Sequence, residues 1–360
     1  MIKAAFLSVV PSPYQRDLFT ALARHPEINL RVFYMERAAP DSPWPEKPLA
    51  EYESILPGSW FSIGRARCHF NWALPRVEDY DVLVLNTLMS LTGQWMLRAK
   101  LSAVPWIFWG ERLRPRRTGW RQALHDQATA PLNGANAIAG IGSRATRDYA
   151  ERFSRPRHFN IPYYCDLKPF LDTPRRPSDG KTVFLFCGQM IARKGLDLLL
   201  AAFARLVEKN SEVRLLLVGR EADLPVELAK LPAPARDRIR YEGFQSPEAL
   251  PRYFAQADVF ILPSRYDGWG VVVNQALAAG LALICSDAVG AAHDLIESGK
   301  NGCTFPSENA DALFTQMQQL AADPTLRQSW GEASRGAAQA WHPEAGASKW
   351  VEAFHTVLDR

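Results

Sequence analysis

Short apolar runs alternate with helix-period segments along almost all of the 360 residues, an alternation that fits parallel sheets covered by helices on both faces. A first series of strands is read at 4–10, 30–34, 82–85, 106–109 and 137–141, with helical patterns at 15–24, 93–100 and 120–130. A second series follows at 182–187, 214–218, 239–241, 259–262 and 282–285, with helices between, one of them over 246–256 behind the capping-type start Ser246-Pro247-Glu248. The two series are separated by Thr-Pro-Arg-Arg-Pro-Ser-Asp-Gly at 173–180, whose prolines and charges favour an exposed connection. A chain of this length exceeds what one hydrophobic core usually serves. The expected organisation is therefore an N-terminal domain over 1–172, a linker over 173–181, a second domain over 182–341 and a helical segment over 342–360 that packs back on the first domain. Two doubly wound domains facing each other would surround one cleft with the carboxyl ends of their strands, where such folds bind ligands.

Within the second series, PSRYDGWGVVVNQALAAG at 263–280 carries the most chemistry. The buried run 259–262 ends at Pro263-Ser264, and Gly268-Trp269-Gly270 turns sharply into small and apolar residues beginning at Val271. A helix opening after a glycine turn offers free N–H groups and the positive end of its dipole, and residues without Cβ let a diphosphate approach the main chain. Asp267 precedes the turn and Gln275 lies eight residues later, so one could hold a sugar and the other a ribose. The competing reading is a buried strand over 271–273, because three consecutive valines are poor helix formers.

Composition removes several alternatives. With 42 Lys and Arg against 38 Asp and Glu, the net charge of +4 does not suit a dedicated nucleic-acid binder. Cys68, Cys165, Cys187, Cys285 and Cys303 are scattered without any Cys-x-x-Cys spacing, so neither a disulfide framework nor a zinc site is indicated and a reducing cytosol fits. The opening MIKAAFLSVV lacks a small-residue cleavage site before PSPYQRD and reads as a first strand. No stretch approaches the ~20 apolar residues that span a bilayer. None of the histidines has metal-ligand spacing, and no Gly-x-Gly-x-x-Gly follows either first strand, which argues against a dehydrogenase.

In order and spacing these motifs resemble the family 4 glycosyltransferases, retaining enzymes whose hallmark is an acid, Gly-Phe-Gly, and a second acid eight positions after the first. Here Asp267 replaces the usual Glu, Trp269 is the aromatic, and Gln275 replaces the second acid. CGQMIARKGLDLLLAAF at 187–203 is similar to the family's strand, loop and helix that bring a basic residue onto the donor diphosphate. Lys194 takes that position, while Gln189, after Gly188, stands where the family has arginine and Arg193 is the neighbouring substitute. Residues 160–166 resemble the interdomain segment, Val218-Gly219-Arg220 the glycine turn after the next strand, and 241–244 and 289–296 also fit, with Asp294 in place of a Glu. The resemblance is strong over 182–320 and weaker before 140. It implies an α/β, GT-B fold of two Rossmann-like domains across a cleft, a nucleoside-diphosphate-sugar as donor substrate, and no cofactor. No Asp-x-Asp metal motif of the other major glycosyltransferase fold accompanies Asp267.

The N-terminal half departs further from the family. Where members have a Gly-Gly loop, this chain has Val-Pro-Ser-Pro-Tyr-Gln at 10–15, which reads either as a wall of the acceptor side or as a plain strand-to-helix turn. The family's histidine near the donor sugar is absent, and Glu111 is the nearest polar substitute, able to orient an acceptor hydroxyl or stabilise charge at the anomeric carbon. Its alternative role is pairing with a following arginine. Arg112, Arg114, Arg116, Arg117 and Arg121 have no acid among them, so this stretch is either a solvated face or a contact for an anionic acceptor or acidic headgroups.

Glu111 is thus the catalytic candidate in place of the missing histidine, and the resemblance implies Asp267 and Lys194 as catalytic residues. It implies donor binding by Gly188, Gln189, Arg193, Gly219, Gly268, Trp269, Gly270, Val271 and Gln275, and no metal. The expected activity is metal-independent, retaining hexosyl or related transfer to a glycan or lipid-linked acceptor, in cell-surface polysaccharide or glycolipid assembly. The expected location is the cytoplasm, with peripheral contact at the inner face of the membrane through 112–121 and no nucleic-acid partner. The rival reading is a catalytically degenerate sugar-nucleotide-binding protein, motivated by Gln189, Gln275 and the missing histidine.

Overall fold

The apolar runs form strands, and near-continuous burial along the central ones explains why they lack polar alternation. The computed structural model of the chain describes residues 1–38, 46–63, 66–99, 101–113, 118–175 and 180–359. It comprises two units, residues 1–165 with 343–360, and residues 166–342.

The first unit contains β1 (Ile2–Ser8), β2 (Ile28–Tyr34), β3 (Glu53–Ile55), β4 (Gly58–Ile63), β5 (Ala66–Asn71), β6 (Val82–Leu85), β7 (Trp106–Gly110), β8 (Ala137–Gly140) and β9 (Arg157–Asn160). Among the described residues seven of these form a sheet in the order β3-β2-β1-β6-β7-β8-β9, parallel throughout, with Phe6 opposite Val32 on one side and Val84 on the other. β4 and β5 form a separate antiparallel hairpin, which sequence reading missed because aromatic and polar residues are mixed in both strands. Buried Asn71 ties it down through Nδ2, which donates to the carbonyls of Met35 and Leu56 at 3.0 and 3.1 Å. The C-terminal helix Pro343–Val357 belongs to this unit. Its Trp350 is fully buried and meets Phe6 edge-on at 5.0 Å and Trp109 at 5.5 Å, so the last helix completes the first core.

The second unit contains β10 (Thr182–Cys187), β11 (Val213–Val218), β12 (Ile239–Tyr241), β13 (Val259–Leu262), β14 (Ala282–Ser286) and β15 (Gly302–Phe305). These run parallel in the order β12-β11-β10-β13-β14-β15, the doubly wound arrangement whose order reverses between β10 and β13. Residues 271–278 are helix, despite the three valines. The first helix of this unit, Lys168–Asp172, is fastened by Phe170 packing edge-on to Phe254 at 5.1 Å. Arg175, in the stretch read as linker, donates to the carbonyls of Gly280 and Ala257 and to Asp258, so that part of the stretch is fixed to the second unit. Residues 176–179 lie outside the described residues.

Candidate active site

In a doubly wound sheet the loops at the order reversal diverge to opposite faces and leave a crevice at the strands' carboxyl ends. In the second unit those loops follow β10 and β13, and they carry Gly188 to Lys194 and Pro263 to Gly270. Glycine permits the close crossing of the first loop with its neighbour, because a Cβ on Gly219 (φ +137°) would lie 1.9 Å from the Gly188 carbonyl oxygen. Gln189, the next residue, is half-buried. A single 3-10 turn, Ala192–Lys194, leads through left-handed Gly195 into the helix Leu196–Lys209.

The turn places the Lys194 ammonium against the Asp267 carboxylate, in an ion pair between Nζ and Oδ2. The side chains are 15% and 12% exposed, so the pair is largely withdrawn from water. Its charge reaches Cys187, whose thiol burial pushes up to about 12 while Lys194 pulls it down.

Asp267 is fixed by its backbone, which bridges to Val289: its N–H donates to Ala288 O at 3.2 Å, and its carbonyl accepts from Gly290 N at 3.1 Å. Gly290 tolerates the approach because a Cβ there would lie 2.2 Å from the Gly268 carbonyl oxygen. The Trp269 ring points inward, fully buried, and its Nε1 donates to Asn274 Oδ1 at 2.9 Å. Only the Trp269 main chain can contribute to a ligand site, which narrows the role expected for that residue. Gly270 (φ +95°) turns the chain into the helix Val271–Ala278, with Gln275 half-buried one turn in. The N–H groups of Gly270, Val271 and Val272 meet no acceptor among the described residues, as expected at a helix start without a side-chain cap. The positive end of the dipole and these donors suit an anion beside the Lys194 ammonium.

Arg193 is exposed, and its Nη1 donates to the Tyr266 carbonyl at 3.0 Å. Sequence reading missed Arg265, between Ser264 and Tyr266, whose guanidinium forks onto both oxygens of Asp197 at 2.8 Å. That hydrogen-bonded contact holds the Asp197 carboxyl below its ordinary value and raises the Arg265 guanidinium above its own. The available signal was an acid in the first turn of the helix after Gly195, facing an arginine two residues before Asp267. His293 Nε2 contacts the Asp287 carbonyl at 2.9 Å, and half-buried Asp294 follows it in the short helix Ala292–Leu295.

In the first unit, Glu111 follows β7 directly and is exposed. Its Oε1 accepts from the Tyr163 hydroxyl at 3.2 Å, and its carbonyl accepts from Tyr149 at 3.0 Å. Burial, reinforced by the Glu111 charge, raises the Tyr163 phenol well above its ordinary value, so it remains a donor. Across the ends of β1, β6 and β7, Ser12 Oγ donates to Gln15, Gln15 Nε2 to Asn86 and Asn86 Nδ2 to the Trp109 carbonyl, at 2.8, 2.9 and 2.7 Å. The 10–15 segment is thus a braced strand-to-helix turn. The roles of Asn86 and Tyr163 were not anticipated: Asn86 is a lone polar residue after an apolar run, and Tyr163 lies in the 160–166 segment, whose resemblance assigns it no contact.

The expected basic patch is only partly visible. Arg112 is spent on Asp148, Nε to Oδ2 at 3.2 Å, with its side chain 15% exposed, which removes it from any surface contact. Arg114, Arg116 and Arg117 lie outside the described residues, as does the Arg121 side chain. No helix among the described residues is long and apolar enough to cross a membrane.

Residues 169–337 match the family described as glycosyl transferases group 1. The chain is a relative of these glycosyltransferases, and its fold is GT-B. It is 28% identical over 214 residues to the alpha-D-kanosaminyltransferase of Streptomyces kanamyceticus, covering 59% of this chain and 51% of that one. It is 30% identical over 196 residues to the phosphatidyl-myo-inositol mannosyltransferase of Mycolicibacterium smegmatis, covering 52% and 50%. The chain thus spans about half the length of these relatives. Among solved structures, Anabaena HepE in complex with UDP is similar over 99% of this chain and all of that one, with a TM-score of 0.74 at 16% identity. The resemblance to family 4 glycosyltransferases and the GT-B fold of two Rossmann-like domains are both borne out.

Proposed function

We propose that the protein is a retaining glycosyltransferase that moves a sugar from a nucleoside-diphosphate donor to a hydroxyl of a glycan or lipid-linked acceptor, on the cytoplasmic side of cell-surface polysaccharide or glycolipid assembly. One observation carries this reading: the Lys194–Asp267 pair at the order reversal of the second sheet, beside a helix start with unsatisfied N–H groups. The relatives' sugar-transferring names, one of them acting on a phosphatidylinositol, support sugar transfer and a lipid-linked acceptor class.

As the bond between anomeric carbon and diphosphate oxygen breaks, negative charge grows on the leaving group. The Lys194 ammonium, the N–H groups of 270–272 and the helix dipole stabilise that charge without a protein-bound metal, and exposed Arg193 adds a second cation. Asp267, exchanging Lys194 for substrate, accepts hydrogen bonds from donor-sugar hydroxyls, and the Gln275 amide binds the ribose. The tight main chain at Gly188, Gln189, Gly219 and Gly268 lets the nucleotide lie close to the backbone. In a front-face displacement a donor phosphate oxygen takes the acceptor proton while the acceptor oxygen bonds to the face just vacated, so configuration is retained and no protein base is required. Glu111, held by Tyr163, orients the acceptor hydroxyl. No observation favours the catalytically degenerate alternative.

Asp267→Ala tests the reading. Transfer and donor hydrolysis should collapse while circular dichroism stays native, and EDTA should leave the unaltered protein active. Near-normal turnover in the variant would remove Asp267 from the site, and loss with EDTA restored by magnesium would remove the metal-free mechanism.

A further inference from the structure

Lys194 and Asp267 stand on separate loops, 73 residues apart in sequence, and their contact persists only as far as the loops are held together. Arg265 joins them. Its Nη1 and Nη2 fork onto Asp197 at 2.8 Å each, and Nη1 also donates to the Ala192 carbonyl. Its own N–H donates to the Arg193 carbonyl at 2.8 Å, and Arg193 returns a bond to the Tyr266 carbonyl at 3.0 Å. The third edge of the guanidinium, Nε, donates to Glu308 at 2.9 Å, where Glu308 adopts a left-handed backbone (φ +67°) uncommon for a residue with a side chain. Beneath these bonds the loops touch main chain to main chain, since a Cβ on Gly195 would lie 2.0 Å from the Pro263 carbonyl oxygen.

We infer that Arg265 is a positioning residue for the diphosphate site, acting through Lys194 by clamping residues 192–197 to residues 265–267. This rests on the function proposed above. The planar fork matches a carboxylate in two parallel bonds and reaches a carbonyl as well, a geometry that a lysine ammonium cannot reproduce. With side chains 27% and 37% exposed, the Arg265–Asp197 pair contributes little to global stability. Its effect lies in order: without the clamp, each loop must be immobilised when the diphosphate binds, and that cost comes out of affinity.

The discriminating experiment is a double-mutant cycle read by calorimetry with UDP, GDP, ADP and dTDP as probes, joined to amide hydrogen exchange on the ligand-free protein. Arg265→Ala, Arg265→Lys and Asp197→Asn should each weaken the best-bound nucleotide about tenfold with the melting temperature little changed, because lost loop order appears in binding. In a Lys194→Ala background, adding Arg265→Ala should change affinity by no more than about twofold, since the clamp acts through the missing ammonium. The Arg265 and Gly195 amides should exchange faster in Arg265→Ala. Equal losses in both backgrounds, or affinity unchanged in Arg265→Ala, would overturn the positioning role. If the unaltered protein binds none of the four probes, the proposed function fails; the clamp then stands or falls on exchange, and unchanged protection at Arg265 and Gly195 overturns it.

Discussion

Replacing Lys194 by methionine separates the stability of the site from its chemistry. The substitution keeps the bulk of the side chain and removes one charge from a pair whose members are 15% and 12% exposed. A charge-assisted hydrogen bond of this kind is worth about 1.5–3 kcal/mol, below the roughly 3–5 kcal/mol found when a fully buried pair is broken. In a unit of this size each kilocalorie shifts the melting temperature by about 2–4 °C, so the second unit should melt about 3–12 °C lower. The same charge is lost to the diphosphate, and 1.5–3 kcal/mol corresponds to about a 10- to 150-fold rise in Kd for a nucleoside diphosphate. Adding Asp267→Asn should recover part of the melting temperature, because no carboxylate is left uncompensated, and should recover none of the affinity. Scanning calorimetry and nucleotide titration of the single and double variants read the two quantities separately. If Lys194→Met binds within about twofold of the unaltered protein, the ammonium does not face the diphosphate, since even the weakest such contact exceeds that margin.

Gly195→Ala should be costly for two reasons, about 1–2 kcal/mol for a left-handed alanine and a further loss because its Cβ would lie 2.0 Å from the Pro263 carbonyl oxygen. Gly299→Ala, at φ +79° with nothing within 4 Å of the added atom, is the control; calorimetry should find it milder, and equal losses would refute the close approach. Asp197 contributes to pH dependence with a definite sign. Its carboxyl is held below 3.8 in the folded state by Arg265, so its stabilisation is present above pH 3.8 and is lost as pH falls through the lowered value. The gap in melting temperature between the unaltered protein and Asp197→Asn should therefore be small near neutrality and close on acidification across that window, and a gap that widens as pH falls would contradict the assignment.

The second unit was the more legible half because its signals are local. Its strands are short apolar runs, and the turn at Gly268-Trp269-Gly270 announces itself by residues without Cβ. The helix over 271–278 could be misread through its valines; all eight of its residues being apolar or amide and Val273, Asn274, Ala276, Leu277 and Ala278 being buried, tertiary packing overrides the intrinsic preference. What stayed hidden depends on contacts between distant segments. Nothing in PSRYDGWG declares that Arg265 turns to Asp197 rather than to a ligand, or that the Trp269 ring is fully buried and bonded to Asn274. Trp350 could be read as apolar and helical, whereas its packing on Phe6, across 344 positions of sequence, was beyond any local pattern. The hairpin β4–β5 escaped because it is anchored by polar contacts of Asn71, whose Oδ1 accepts from the Thr92 hydroxyl at 2.9 Å, and shows no apolar alternation.

The most direct test of the central claim is release of free sugar and nucleoside diphosphate from a panel of nucleotide-sugars, with chromatographic detection of both products. The account predicts that one donor, or a few sharing a nucleotide, is hydrolysed slowly by the unaltered protein and not by Asp267→Ala. A panel in which no nucleotide-sugar is bound or consumed, or in which Asp267→Ala matches the unaltered protein, would contradict it.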